Sequence, residues 1–227
     1  MDVLKIKNAL FSTAYLPPVE YFVYLLLSEN IRIEAYETYP KQTYRNRCYI
    51  YSGDGVESLH IPIIKPRGNH SKTGEVLLCN SQPWQRNHWR AISAAYSNAP
   101  FFIYYSDLLK TFYHLRIDNL LEFNTNLLNE LMSEIGIVKT AGYTDCFVKR
   151  VADGIDFRTT ISPKYKNSSV LSEISFPYYE QVFEHKHGFV KNLSILDLLF
   201  NKGPDTKEYL LECAANAEPN SKKDKQP

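Results

Sequence analysis

The sequence predicts an α/β protein: a single domain with a βαβ opening, a small β-hairpin insertion and a helical C-terminal half. Three observations point there. A short apolar segment at 8–14 leads through Pro17-Pro18 into a helical pattern over 20–29. It is followed by a strand in which Ile31, Ile33 and Ala35 alternate with Arg32 and Glu34. Two strand-like runs, 48–52 and 58–64, flank the turn signal Gly53-Asp54-Gly55. Beyond Ser81 the apolar residues recur every three or four positions, the period of helices.

Each element follows from its own residues. In 20–29, Tyr21, Phe22, Leu25 and Leu26 share one helical face. Residues 36–44 are an aromatic loop, and 66–74 a loop holding Arg67, Gly68, His70 and Lys72. Ser81-Gln82-Pro83 opens a helix that runs to Tyr96, with Trp84, His88, Ile92 and Tyr96 on one face. A proline in the first turn costs little, because its missing N–H has no helical partner there. A second helix covers 101–113. A third covers 118–135, where leucines recur at helical spacing until Gly136 stops it. Weaker strand patterns occupy 137–148 and 157–161. Ser194 opens another helix, with Asp197 completing a Ser-x-x-Asp capping box and Gly203-Pro204 ending it; a short helix follows over 206–215. The domain spans 1–216. The remainder, 217–227, is rich in lysine and is expected to be a disordered tail.

Composition narrows the function classes. The chain has 227 residues, 44% hydrophobic, enough for a proper core. Its 26 basic residues balance 25 acidic ones, which excludes strong generic affinity for nucleic acid. The 17 Tyr and 12 Phe are compatible with a polar-ligand cleft, although a tyrosine-heavy core and surface is the more common reason for such a composition. Cys48, Cys79, Cys146 and Cys213 are too far apart for a zinc site or a disulfide framework. No signal-peptide pattern opens the chain, and the longest apolar run, 22–27, is far short of the ~20 residues of a membrane span. The expectation is a cytoplasmic protein with free thiols, no membrane span, no metal and no cofactor.

Charge is localised. Between Lys41 and Arg90 lie eight basic residues against three acidic ones, a pattern that suits an anionic small molecule such as a phosphate, carboxylate or sugar nucleotide, or simply a solvated face. In an extended backbone Arg45 and Arg47 of Arg45-Asn46-Arg47 would point to one side and could grip one anion; ion pairing with Glu34 or Glu37 is the alternative. Lys65 follows a strand and could enter a strand-end cleft. His88 and Arg90 share the Trp84 helix. His88 is the candidate general base, although a histidine on an apolar face is more often a satisfied core residue.

Several separated motifs resemble one family. They are Ala14-Tyr15-Leu16-Pro17-Pro18-Val19-Glu20-Tyr21-Phe22, then Tyr39-Pro40-Lys41-Gln42-Thr43-Tyr44-Arg45-Asn46-Arg47-Cys48-Tyr49-Ile50, then Ile61-Pro62-Ile63. Trp84, His88-Trp89-Arg90 and Tyr96 follow, and Tyr178-Tyr179-Glu180-Gln181 with the segment from Ser194 to Gly203 closes the set. In this order, from about Ala9 to Leu211, they resemble the WbqC-like protein family. Ser12-Thr13-Ala14 stands where many members carry Gln-Pro, and Glu20 where many carry Gly. The resemblance implies a bacterial protein of O-antigen or other surface-polysaccharide biosynthesis. It also implies a transferase of an aminoacyl (glycine) or related acyl group to a sugar. The alternative is a non-catalytic binding or partner protein in such a complex. The Rossmann-like opening lacks a His-x-Gly-His signature. On this reading His88 is the catalytic base, and Tyr21, Arg45, Asn46, Arg47, Lys65, Arg90 and Tyr96 bind the ligand.

Overall fold

The computed structural model describes residues 4–163, 171–172, 174–215 and 218–219. The chain opens with β1 (Ile6–Phe11), α1 (Val19–Leu27) and β2 (Ser28–Ile33). β1 and β2 pair in parallel, Ile6 against Ser28 through Phe11 against Ile33, which is the expected βαβ unit. β3 (Arg47–Ser52) and β4 (Gly55–His60) form the expected antiparallel hairpin. Gly55 adopts φ +103° in its turn, a region open to glycine and strained for other residues. The run expected to continue to Ile64 ends at His60. Pro62 has no N–H for a ladder, and the chain turns there so that β5 (Ile63–Ile64) pairs with β6 (Leu77–Leu78) instead.

Three helices follow: α2 (Trp84–Tyr96), α3 (Phe102–Phe112) and α4 (Leu120–Glu134). Pro83 is the N-cap of α2 rather than a first-turn residue. Asn119 caps α4 by accepting the Glu122 amide at 3.1 Å. β7 (Gly142–Tyr143) and β8 (Gly154–Asp156) complete a four-stranded sheet of order β7-β2-β1-β8, parallel throughout. Only two residues of the 137–148 pattern pair, and the strand expected at 157–161 forms just upstream. Gly154 decides that register. A Cβ there would lie 2.1 Å from the Asn8 carbonyl oxygen, so only a residue without a side chain lets the two backbones close.

β9 (Leu171–Ser172) pairs antiparallel with β10 (Glu218–Pro219); the rest of the tail expected to be disordered, residue 217 and 220–227, lies outside the described residues. α5 (Glu184–His187), α6 (Ile195–Lys202) and α7 (Thr206–Cys213) lie between them in sequence. Ser194 caps α6 by accepting the Leu196 amide at 3.4 Å. Asp197 does not complete a capping box: the Ser194 amide donates to the Tyr49 carbonyl, and the Asp197 carboxylate turns inward.

Apart from Glu20, α1 is built of apolar and aromatic residues and is buried almost all round, packed on α6 and α7. Between it and the sheet the rings of Phe11, Tyr21, Tyr24 and Phe157 stack at centroid distances of 4.4 to 4.8 Å. All four cysteines are free, and no described helix is long and apolar enough to cross a membrane. The four carboxyl ends of the sheet face one way. The chain leaves β1 for β2 on one side and reaches its other side only with β8, so β1 and β8 flank the topological switch point where α/β sheets place their ligands.

Candidate active site at the carboxyl edge of the sheet

The loop directly after β1 is not open to a ligand. From Ala14 to Val19 it is buried, held by hydrogen bonds from the Tyr15 amide to Tyr44, the Val19 amide to Leu193 and the Ile195 amide to Pro17. Leu16 is held at φ +41°, a conformation that costs a non-glycine residue on the order of 1 kcal/mol or more.

The open chemistry lies beside it. β2 delivers Glu34 just past its end, and β8 delivers Asp156 and, two residues on, Arg158. Glu34 is fully buried and fully satisfied. Oε1 accepts the Tyr36 amide and the Thr144 hydroxyl, both at 2.9 Å; Oε2 accepts the Val148 amide at 2.9 Å and Arg158 Nη1 at 3.2 Å. Arg158 donates Nε to Asp156 Oδ1 at 2.9 Å and Nη2 to Oδ2 at 2.5 Å, and lies over the Phe147 ring at 5.3 Å. A guanidinium has five N–H donors, so one on each terminal nitrogen of Arg158 makes no hydrogen bond among the described residues.

Glu37 faces the same region. Its Oε1 accepts Arg45 Nε at 3.0 Å and Nη2 at 2.6 Å, with the Thr73 hydroxyl at 3.5 Å. Oε2 carries no hydrogen bond among the described residues. Burial raises the Glu37 pKa above the ordinary carboxylate value, and Arg45 and Arg158 oppose that rise. Glu37, Thr38, Lys72, Phe147, Asp156, Arg158 and Thr159 line a cavity of about 510 Å³. Lys72 reaches it because residues 71–74 zip onto 35–39: Tyr39 N–H to Ser71, Thr73 N–H to Glu37, and Gly74 N–H to Ala35. The walls thus offer two carboxylates and two cations. No group of three or more His, Cys, Asp or Glu suited to a metal ion occurs among the described residues.

The residues singled out from sequence do not converge there. Arg45 sits in a 3-10 turn (Tyr44–Asn46) and only Arg47 lies on a strand, so the two do not share one extended face. The Arg45 guanidinium is buried on Glu37, the ion-pair alternative. Asn46 Nδ2 donates to the Ile61 carbonyl at 2.9 Å. Arg47 is half-buried opposite His60, its Nε–H without an acceptor among the described residues. Lys65 is half-buried and donates to Asn69 at 3.1 Å, and Arg90 is exposed on α2. Tyr21 and Tyr96 line neither the Glu37 cavity nor any other cavity named among the described residues. Both are buried, Tyr21 donating to the Ser12 carbonyl at 2.8 Å and Tyr96 accepting the Tyr51 amide at 3.0 Å.

His88 is the satisfied core histidine its apolar face suggested. Nε2 lies 3.1 Å from the His60 carbonyl, which can only accept, so Nε2 carries the proton. Nδ1 therefore accepts the Tyr15 hydroxyl at 2.9 Å, and Tyr15 in turn accepts the Tyr113 hydroxyl at 2.7 Å. Burial lowers the His88 pKa to about 4, so the ring stays neutral.

Asp197, read from sequence as a cap, is instead a buried carboxylate. It accepts the Tyr179 hydroxyl at 2.6 Å and Gln181 Nε2 at 2.7 Å, with a weaker contribution from the Tyr96 hydroxyl, and burial pushes its pKa up to about 6. It lines none of the cavities described here and acts as a clamp between α6 and the 179–181 segment.

A family-wide sequence profile, that of the WbqC-like protein family, matches residues 13–172 and 164–209. The chain belongs to the WbqC-like family. The protein is also 28% identical over 230 residues to the uncharacterized protein Rv1507c of Mycobacterium tuberculosis, covering 91% of this chain and 98% of that one. No solved structure matches at a comparable significance. In this WbqC-like chain, Glu34 and Glu37 were visible in the sequence only as counter-ions of the arginines. Asp156 and Arg158 gave no signal, because their place depends on where β8 pairs.

Proposed function

We propose that the chain is a transferase of surface-polysaccharide biosynthesis that moves an acyl group, an aminoacyl group such as glycyl in particular, to an amine or hydroxyl of a sugar. The observation that carries the reading is Glu37: a carboxylate made more basic by burial, with one oxygen free, on a cavity that also holds Lys72 and Arg158. Lys72 and the spare Arg158 donors hold the phosphate or carboxylate of the ligand. Glu37 and Asp156 give an aminoacyl ammonium its counter-charge. The acceptor nitrogen or oxygen attacks the acyl carbonyl while Glu37 Oε2 takes its proton. The new C–N or C–O bond forms, the bond to the activating group breaks, and Glu37 returns the proton to that leaving group. The base is Glu37 rather than His88, whose two nitrogens are both engaged.

Mass spectrometry of a mixture of the protein, a glycyl thioester and a UDP-linked amino sugar tests this. Glycylated sugar is expected from the wild type, and Glu37→Gln should lower the rate by about 10²–10⁴ while ligand binding persists. Transfer that survives intact in Glu37→Gln overturns the assignment. A second reading, a non-catalytic partner, draws on Ile103 and Tyr104, which stand 74% and 75% exposed on α3. Ligand binding without any turnover would favour it.

A further inference from the structure

A parallel sheet covered on both faces reads as a continuous apolar run. β2 instead alternates: Ile31 and Ile33 are buried, whereas Asn30 and Arg32 are exposed. Over that polar face lies a cavity of about 770 Å³, which shares no residue with the Glu37 cavity.

Both of its walls are held by hydrogen bonds. On one side Asn8 Nδ2 donates to the carbonyls of Ala152 and Asp153, at 3.2 and 3.1 Å, while its Oδ1 accepts Asn30 Nδ2 at 3.3 Å. This pins the turn that follows Arg150. On the other side Lys139 Nζ donates to the carbonyls of Leu26 and Ser28, at 2.8 and 2.6 Å, at the C-terminal end of α1. The floor between them is open. Gly142 of β7 stands in register with Arg32, and a Cβ there would meet nothing within 4 Å.

The charge on these walls is mostly positive and partly unspent. Arg32 and Arg150 line the cavity, both are exposed, and neither guanidinium has an acceptor among the described residues. The hydroxyls of Thr140 and Tyr143, also on the lining, make no hydrogen bond among the described residues. Glu29 is the one carboxylate among the described lining residues, and it lies within electrostatic reach of Lys7 and Lys139. Two free guanidinium forks with Lys139 beside them match the double charge and several oxygens of a phosphate better than a single carboxylate. The volume is that of a small-molecule site, and the near-neutral chain argues against a nucleic-acid strand.

We propose that this cavity is a second ligand site, which binds a phosphorylated small molecule by holding its phosphate on Arg32 and Arg150 above the open floor at Gly142. The site does not depend on the transferase reading.

The test follows the Gly142 amide resonance of the ¹⁵N-labelled full chain during titration with sodium pyrophosphate or ATP, against sodium chloride of equal ionic strength. A saturable shift is expected with at least one of the two phosphates. Pyrophosphate acting alone identifies the phosphate as the whole determinant, and ATP acting alone adds a contact from the rest of the ligand. Arg32→Gln and Arg150→Gln each remove one charged grip and should weaken the affinity at least about tenfold. Both positions are exposed, so an unchanged Tm checks that each variant keeps the fold. Lys72→Ala, which disables the other anion-binding wall, should leave the Gly142 titration unchanged. No saturable shift with either phosphate, an equal shift with chloride, an affinity that either arginine variant retains, or a shift lost in Lys72→Ala overturns the proposal.

Discussion

At the carboxyl edge of the sheet, Glu37 keeps one oxygen without a hydrogen bond among the described residues, over a cavity walled by Lys72 and Arg158. Around α2, the Tyr113 hydroxyl donates to Tyr15, Tyr15 to His88, and His88 to the His60 carbonyl, so that every hydrogen along that path has an acceptor. Both regions are built from titratable side chains beside family motifs. The difference teaches that residue type alone does not mark a reactive group. His88 and Arg45 are spent on holding the fold, whereas Glu37 retains an unspent acceptor where a ligand can reach it.

The hardest way to break the carboxyl edge is through the backbone. Gly154→Ala places a methyl where the Asn8 carbonyl stands, and should cost at least about 4 kcal/mol by denaturant titration, or prevent folding. Arg158→Ala comes next. It leaves Glu34 buried without its cation, although three other donors remain, and should cost about 3 kcal/mol, whereas Arg90→Ala on the exposed face of α2 should stay within about 0.5 kcal/mol.

pH sharpens the comparison for the closed clusters. Asp197 is raised from 3.8 to about 6, so its contribution to stability is complete below 3.8 and is lost as pH rises through 6. His88 is lowered from 6.5 to about 4, so its contribution is complete above 6.5 and is lost as pH falls through 4. Each is worth up to about 3 kcal/mol, with opposite sign, and between pH 4 and 6 the two oppose each other. Relative to wild type, the stability of Asp197→Asn should therefore rise more steeply with pH across that window, and that of His88→Gln should rise less or fall. Parallel curves for all three proteins would contradict the assignment. Lys72→Ala should likewise stay within about 0.5 kcal/mol, because Lys72 is half-buried and the one hydrogen bond its ammonium makes among the described residues, to Thr38, is long at 3.5 Å.

The contrast also explains what could be read from sequence. The βαβ unit was legible because Pro17-Pro18 separate the strand from a helix whose face is apolar, and Ile31 and Ile33 alternate with polar residues. The hairpin was legible because Gly53-Asp54-Gly55 is turn chemistry. β7 and β8 were not. At two and three residues they have no period of their own, and their positions follow from β1 and β2 and from the one place, Gly154, where a backbone can close on Asn8. The site inherits that limit, since Asp156 and Arg158 reach the cavity only through the β8 register. Arg45 and Arg47 misled because one sits in a 3-10 turn, where strand alternation does not hold. Asp197 misled because its spacing from Ser194 fits a cap, while Tyr179 and Gln181, which claim it, lie in a distant segment.

The most direct test is a thermal-shift measurement with UDP-N-acetylglucosamine and a non-hydrolysable glycyl-adenylate analogue on wild type, Lys72→Ala and Arg90→Ala, since binding to the folded state raises Tm by mass action. A rise is expected with at least one of them, lost in Lys72→Ala and kept in Arg90→Ala. A rise that Lys72→Ala retains and Arg90→Ala loses, or no rise with either ligand, would contradict the placement of the site at the carboxyl edge of the sheet.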